Sequence, residues 1–339
     1  MDENGISASR RRALKGATVG LSAAAAAVAA PAFAQSPSTA TTPAKARGLV
    51  DPRKEYPHAP FQAQPQPWPG LASRMTPVPD HGEKSYQGSG RLAGRKALIT
   101  GGDSGLGRAT AIAYAREGAD VAINYLPAEE EDAQQVIALI RQAGRRAIAL
   151  PGDLRTEAFC NALVTSAAKA LDGLDILVNC AGRQHSYDSV VDIPTEAFDW
   201  TLKTNLYALF WLTKAAVPIM PPGSAFVFTT SVNAFNPSIN LLDYSITKAG
   251  IANFTKGLAK QMIERGIRVN AVAPGPFWTP LQVSGGQTQK NVEKFGEDVP
   301  MGRPGQPAEI APLYVQLAAA ESSYVTGQIF GASGGNGEP

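Results

Sequence analysis

A strand, a glycine-rich turn and a helix follow one another near residue 100, and this order constrains the fold more than any other feature. Lys96-Ala-Leu-Ile-Thr100 is strand-like, the turn runs from Gly101 to Gly107, and an alanine-rich helical run follows. Gly101 permits the tight turn, Gly105 lets the backbone approach a pyrophosphate, and Gly107 allows close helix packing. The free N–H groups of the helix N-terminus favour phosphate. The pattern predicts dinucleotide binding, since no Gly-Lys-Ser/Thr closes a nucleotide P-loop.

Strand-like and helical runs alternate from residue 96 onward. We predict seven strands at residues 96–100, 120–125, 146–151, 174–179, 224–230, 267–272 and 328–332. Near-continuous apolar runs such as residues 176–178 are typical of strands buried on both faces. The sequence therefore predicts a Rossmann-type, doubly wound seven-stranded parallel sheet with helices on both faces. Ligands bind at strand carboxyl ends in such sheets, and five distinctive residues follow strand ends here: Gly101, Asp153, Asn179, Ser231 and Pro274.

Tyr244 and Lys248 lie four residues apart, which is about one helical turn, so their side chains share one helix face. Free tyrosine titrates near pH ~10, and a neighbouring ammonium favours the phenolate. The pair can therefore act as a general acid/base near neutral pH. The spacing alone is common on surface helices, so its weight comes from the dinucleotide-type turn upstream.

From residue 92 to 335 the chain resembles the single-domain branch of the short-chain dehydrogenase/reductase family. That family has the patterns Thr-Gly-x-x-x-Gly-x-Gly and Tyr-x-x-x-Lys, which stand here at Thr100–Gly107 and Tyr244–Lys248. The resemblance makes residues 92–339 the catalytic domain. Further matches are Gly152-Asp-Leu154, Asn179-Cys-Ala-Gly182, Lys203-Thr-Asn205, Ser231, Pro274-Gly275 and Tyr324-Val-Thr-Gly327.

The resemblance implies a role for each matched residue. Ser231 would hydrogen-bond the substrate oxygen, Tyr244 would give or take the proton, and Lys248 would lower the phenol pKa and bind the nicotinamide ribose. Asn205 would hold a water that links Lys248 to solvent. The family also implies a homotetramer. The implied cofactor-binding residues are Gly101, Ser104, Gly105, Leu106, Gly107, Tyr125, Asp153, Leu154, Asn179, Ala181, Gly182, Lys248, Pro274, Gly275, Phe277 and Thr279.

The choice between NAD and NADP stays open. An acid at the end of the second strand would favour NAD and an arginine would favour NADP, but Tyr125 and Leu126 stand there. The acidic run 129–131 would oppose a 2'-phosphate if it faced one, although such a run also suits the first turn of a helix.

The substrate is expected to be a small alcohol, aldehyde, ketone or sugar. We expect it to contact Gln184, His185, Asn233, Phe235 and Trp278, a set that mixes polar and apolar groups, with residues 277–299 as a mobile lid. Two other classes of function remain: a dinucleotide-binding sensor or scaffold without turnover, and an interaction protein that acts through its proline-rich segment. Neither class explains why Ser231 and Asn205 accompany the tyrosine and lysine.

Charge and cysteine content exclude several partners. The formal net charge of +2 comes from residues 1–34, which leaves 27 basic and 27 acidic residues in the rest of the chain. A body without a basic stripe does not indicate nucleic-acid or anionic-membrane binding. Cys160 and Cys180 fall on separate predicted elements, so we expect free thiols, and three scattered histidines indicate no metal site.

The first 91 residues form two segments ahead of the catalytic domain. Residues 1–34 resemble a twin-arginine signal peptide: Arg10, Arg11 and Arg12 precede an apolar stretch too short to span a bilayer, and Ala32-Phe-Ala34 resembles a cleavage site. We expect export of the folded protein to the periplasm, with a cytoplasmic location as the alternative. Residues 35–91 hold ten prolines with interspersed aromatic residues, which indicates an extended arm docked on its own or a neighbouring subunit.

If residues 1–34 are a cleaved signal, the protein recovered from the cell envelope begins at Gln35. Amino-terminal sequencing of that fraction measures this directly. Replacement of Arg11 and Arg12 by lysine is expected to leave the chain uncleaved in the cytoplasm. An envelope protein that still begins at Met1 would refute the cleavage.

Overall fold

The structure is a computed structural model that describes residues 48–337. The predicted signal peptide and residues 35–47 of the predicted arm lie outside the described residues. Within residues 48–337, no helix is both long enough and apolar enough to cross a membrane. Cys160 and Cys180 are both free.

One seven-stranded parallel sheet forms the centre of the protein, with strand order β3-β2-β1-β4-β5-β6-β7. This confirms the predicted Rossmann-type fold, and each predicted strand overlaps an observed one. The chain reverses its direction of winding between β1 and β4, which is where such sheets bind ligands. The strands are β1 Lys96–Thr100, β2 Asp120–Tyr125, β3 Ala147–Pro151, β4 Ile176–Asn179, β5 Ala225–Thr229, β6 Arg268–Pro274 and β7 Ile329–Ala332.

Helices cover both faces of the sheet, because alternate strand residues point to opposite faces and both sets are apolar. Ala97 and Ile99 of β1 pack with α1, α2 and α8, whereas Leu98 packs with α3, α5 and α6. The helices are α1 Gly105–Arg116, α2 Glu130–Gln142, α3 Glu157–Leu171, α4 Thr195–Leu202, α5 Ala208–Ala216, α6 Leu242–Met262, α7 Gln289–Glu293 and α8 Pro307–Ala318. Because all seven strands are parallel, their carboxyl ends lie together at one edge of the sheet, between these two apolar layers.

The described part of the proline-rich arm, residues 48–91, packs against the catalytic domain of its own chain. Phe61 stacks on Trp278 with 4.2 Å between ring centroids, and the Trp278 indole N–H donates to the carbonyl of Pro77 at 2.8 Å. Met75 and Phe61 share a small apolar cluster with Trp278, Val283, Val292 and Phe295. The arm therefore forms a small apolar core together with the segment that follows β6.

Candidate active site

A cleft of about 420 Å³ lies at the carboxyl edge of the sheet, where the loops after β1 to β6 meet. All of the predicted cofactor-binding residues except Asn179 line it: Gly101, Ser104, Gly105, Leu106, Gly107, Tyr125, Asp153, Leu154, Ala181, Gly182, Lys248, Pro274, Gly275, Phe277 and Thr279. Ser231 and Tyr244 line the same cleft. The fold thus gathers residues that are up to 178 positions apart in sequence.

The turn after β1 requires glycine at the positions where it approaches other backbone most closely. Gly101 and Gly105 have φ of +62° and +50°, in the left-handed region. A Cβ on Gly107 would lie 1.9 Å from the carbonyl oxygen of Gly101, so any side chain would push α1 away from the turn. Ser104 stands at the N-cap of α1 without a side-chain capping bond. The backbone donors of this helix end therefore suit the phosphates of a dinucleotide.

Asn179 lies beneath the cleft and holds two of its turns together. Its Oδ1 accepts from the Thr100 hydroxyl at 2.6 Å, and that hydroxyl accepts from the Ala181 N–H at 3.2 Å. The turns after β1 and β4 are thereby fixed to each other. Asn179 therefore does not line the cleft itself but positions the residues from Cys180 to Gly182, which form part of the cleft wall.

Asp153 lines the cleft after β3, and its carboxylate is engaged by Arg155. The Arg155 N–H donates to Asp153 Oδ1 at 3.0 Å, and the Arg155 Nε donates to Oδ2 at 2.8 Å. Burial alone would raise the carboxyl pKa, but these bonds outweigh burial and lower it. Asp153 is therefore a charged, oriented acceptor in the wall of the cleft.

Tyr244 and Lys248 project from α6 into the buried floor of the cleft. The Lys248 ammonium donates to the carbonyl oxygen of Thr229 at 2.9 Å and lies 5.3 Å from the centre of the Tyr244 ring. Ser231 follows β5, and its hydroxyl accepts from the Asn233 N–H at 3.1 Å and lies near enough to the Tyr244 phenol to lower the phenol pKa. The phenol, hydroxyl and ammonium therefore meet beside the glycine turn.

Burial is the main influence on the phenol pKa in the protein alone, and the predicted role of Lys248 stays a prediction. Burial raises the pKa of Tyr244 to about 12, and the nearby Ser231 hydroxyl opposes that shift only in part. Burial also lowers the pKa of Lys248 from 10.5 to about 8, which weakens it as a fixed cation. In the protein alone, desolvation is therefore the largest influence on the pKa of each group.

Asn205 lies in a π-helical turn, Lys203–Tyr207, between α4 and α5. Its Oδ1 accepts from the Arg183 N–H at 2.7 Å, while its Nδ2 donates to the Arg183 carbonyl at 2.8 Å and to Thr247 Oγ1 at 3.0 Å. A Cβ on Gly182 would lie 3.7 Å from both Asn205 Oδ1 and Lys248 Nζ, so the two residues flank one point. The water that we predicted for Asn205 stays a prediction.

Only two of the five predicted substrate contacts line the cleft, namely Gln184 and Asn233. Trp278 is 0% exposed and stacks on Phe61 of the arm, so its ring fills a core. His185 packs against Tyr187 with ring centroids 4.7 Å apart, and Phe235 is 39% exposed outside the cleft. The structure therefore does not bring these three side chains to the cleft wall, because a residue beside a catalytic loop can point away from it.

Other cleft residues were not predicted from the sequence. Trp68 and Pro69 of the arm line the wall, and Asp103 lies within the glycine turn with its side chain buried. Asp103 carried a signal, because a charged residue between two turn glycines is poorly explained by packing. Trp68 carried none beyond its isolation in a polar, proline-rich segment.

The fold and cleft define a dinucleotide-dependent oxidoreductase, and comparison with known proteins agrees. A family model described as Enoyl-(Acyl carrier protein) reductase matches residues 101–336. The chain belongs to the short-chain dehydrogenase/reductase family.

Three similar proteins illustrate the relationship. An Escherichia coli protein named Uncharacterized oxidoreductase YghA is 57% identical, over 85% of this chain and 98% of its own length. The NADPH-dependent aldehyde reductase 1, chloroplastic, of Arabidopsis thaliana is 42% identical, over 79% and 94%. A short-chain dehydrogenase of Burkholderia cenocepacia, solved in complex with NADP, is 34% identical with a TM-score of 0.68, over 72% and 98%. The chain accordingly binds NAD or NADP.

Replacement of Lys248 by methionine is expected to stabilise the protein in the absence of dinucleotide. The amine pKa in the folded state, about 8, lies below the unfolded value of 10.5, so the protonated amine destabilises the fold most below pH 8. Each pKa unit corresponds to ~1.4 kcal/mol, so the gain at pH 7 is up to ~3 kcal/mol and shrinks as the pH rises toward 10.5.

Urea unfolding at pH 7 and pH 10 measures this gain. The control is Lys256→Met, which changes an exposed lysine on the same helix and should leave stability nearly unchanged. A stability loss at pH 7, or an equal gain at both pH values, would contradict the linkage.

Proposed function

We propose that the protein transfers a hydride between a nicotinamide dinucleotide and a small alcohol or carbonyl compound, with Tyr244 as general acid/base. The observation that carries the proposal is the meeting of Tyr244, Ser231 and Lys248 beside the glycine turn. A bound nicotinamide would supply or accept the hydride. Ser231 would orient the substrate oxygen, and the Tyr244 phenol would exchange its proton with that oxygen. Lys248 would bind the ribose hydroxyls.

Carbonyl reduction and alcohol oxidation need opposite protonation states of Tyr244, and the raised phenol pKa favours the protonated one. With a pKa of about 12, Tyr244 is protonated at neutral pH and can donate to a carbonyl oxygen as it is reduced. Alcohol oxidation needs the phenolate, so its rate is expected to rise with pH through the alkaline range. A bound nicotinamide ring with a positive charge would favour the phenolate further.

The substrate end of the cleft favours a small molecule with at least one hydroxyl or carbonyl group. Gln184 and Asn233 offer amides there, while Leu241, Phe295 and Val299 form apolar wall. This mixture suits a short aldehyde, ketone or sugar alcohol. The name of the Arabidopsis relative, an aldehyde reductase, supports the carbonyl class.

A sensor or scaffold without turnover is a weaker alternative. Dinucleotide binding alone needs the glycine turn, but it does not need a buried phenol beside a serine hydroxyl. Nor does it account for a buried lysine whose charge costs stability. The catalytic proposal explains all of these groups together.

We further propose that the chain prefers NAD(H) to NADP(H). Asp103 and Glu129 line the cleft beside the end of β2, where the adenosine 2' group lies in this fold. Asp103 is 1% exposed, and its Oδ2 has no hydrogen-bond partner among the described residues. Burial raises the pKa of Asp103 to about 6, so it is ionised at neutral pH. Burial raises the pKa of Glu129 to about 9, and the Asp103 charge adds to that rise, so Glu129 is protonated at neutral pH and the negative charge at this end of the cleft is that of Asp103.

A nearby arginine, Arg108, offsets the charge of Asp103 only in part, because burial still raises the pKa of that carboxyl. Arg108 Nε donates to Glu83 Oε1 at 3.1 Å and its Nη2 donates to Gln135 at 3.2 Å, so its charge is already engaged. A 2'-phosphate would therefore meet negative charge, whereas a 2'-hydroxyl can donate a hydrogen bond to a carboxylate. The names of two similar proteins mention NADPH and NADP, and those words refer to the cofactors of those proteins.

Tyr244→Phe is expected to lower kcat/KM by ~10²–10⁴, the range for loss of a positioned proton donor, with NADH affinity nearly unchanged. The measurement is cofactor oxidation with a panel of aldehydes, ketones and sugars. Tyr324→Phe serves as the control, because Tyr324 is fully exposed. Full activity in Tyr244→Phe would remove the assigned role. Tight dinucleotide binding by the wild type with no turnover on any substrate would favour the sensor.

Wild-type protein is expected to bind NADPH at least about tenfold more weakly than NADH, measured by titration calorimetry. The double change Asp103→Asn with Glu129→Gln removes the negative charge and should narrow that ratio. Glu131→Gln is the control, since Glu131 is exposed and faces Arg74 at 3.5 Å. Equal affinities in the wild type would contradict the preference.

A further inference from the structure

The proline-rich arm crosses the cleft, and two of its residues, Trp68 and Pro69, form part of the cleft wall. These residues precede the catalytic domain and fall outside the cofactor-binding set predicted from the sequence. The path of the arm on either side of them indicates why they are there.

On the adenosine side, the arm is fixed to the first turn of α2. The Ala72 N–H donates to Asp132 Oδ2 at 2.6 Å, and the Ser73 N–H lies 3.4 Å from Oδ1. Asp132 is 0% exposed and follows closely after Glu129, which lines the cleft. A hydrogen bond to a buried carboxylate is a strong anchor.

On the other side, the arm is fixed to the segment that follows Thr279, which is one of the predicted cofactor-binding residues. The Gln66 N–H donates to the carbonyl of Val283 at 3.0 Å. Gly70 has φ of +81°, and a Cβ there would lie 3.0 Å from Ser284 Cβ. The arm and this segment are therefore in close backbone contact.

Between the two anchors, residues 66–71 form a closed loop that presents Trp68 to the cleft. The Leu71 N–H donates to Gln66 Oε1 at 2.8 Å, and Gln66 Nε2 donates to the carbonyl of Leu71 at 3.2 Å. The Trp68 indole Nε1 is buried and has no hydrogen-bond partner among the described residues. A buried N–H without an acceptor costs ~1–3 kcal/mol, so the loop holds this ring in place despite that cost.

We propose that Trp68 and Pro69 belong to the dinucleotide site, where they cover the middle of the cofactor, and that the arm restrains its release. A bound dinucleotide extends from the Asp103 side to the Thr279 side, and the arm is fixed at both. Because the loop from Gln66 to Leu71 spans these fixed points, the cofactor leaves only when the loop moves. The proposal rests on the dinucleotide site and not on turnover.

The test measures NADH binding without substrate, in a Tyr244→Phe background that separates binding from turnover. The variants are Trp68→Ala, Trp68→Phe and the control Trp211→Phe, a tryptophan outside the cleft that packs against Tyr207. We expect Trp68→Ala to raise the NADH dissociation rate at least about tenfold in stopped-flow displacement, Trp68→Phe to raise it less, and Trp211→Phe to leave it unchanged.

Hydrogen exchange gives a second reading that does not depend on any substitution. NADH is expected to slow exchange at the amides of Gln66 and Ala72, since a covered cofactor holds the loop closed. A Trp68→Ala dissociation rate within about twofold of the parent would overturn the proposal, whether or not the arm stays docked. Unchanged exchange at residues 61–77 on NADH binding would overturn it as well.

Discussion

Parallel pairing of β1 with both β2 and β4 is the constraint on which the rest of the structure depends. Because all three strands end at one edge, the glycine turn after β1 meets the end of β2 on one side and the turn after β4 on the other. The first meeting brings Asp103 near Glu129, and the second joins Thr100 to Asn179 and Ala181. The remaining loops add the proton-transfer group and the substrate wall to this frame.

Local sequence patterns predicted the parallel sheet and the residues at its carboxyl edge well, but they did not predict contacts between distant segments of the chain. Seven apolar runs gave the strands to within a few residues, and the four-residue spacing placed Tyr244 and Lys248 on one face. The side-chain direction of Trp278 has no local signal, since it depends on a stack with Phe61, 217 positions earlier in the chain. The effect of burial on the phenol pKa has no local signal either, because burial is a property of the folded state.

The cleft concentrates groups that oppose folding. Lys248 and Tyr244 are buried with shifted pKa values, and within residues 48–337 one oxygen of Asp103 and the indole N–H of Trp68 have no hydrogen-bond partner. Two apolar layers on the faces of the sheet offset these costs. This distribution is what a ligand-binding enzyme requires, since groups already satisfied by the protein would have less to gain from a ligand.

The arm also bears on the order in which the chain folds. Pro77 receives the Trp278 indole N–H from 201 residues away, and Pro52 receives the Arg303 guanidinium from 251 residues away. During synthesis the arm emerges first, yet the part of its docking surface that buries Phe61 and Met75 is made almost last. Phe61 and Met75 can therefore be buried only after the carboxyl-terminal third of the chain has been made, and they stay exposed to solvent until then. Burial of these two side chains is in this sense a late event in assembly, and a chain stopped before Trp278 has no apolar cluster in which to bury them.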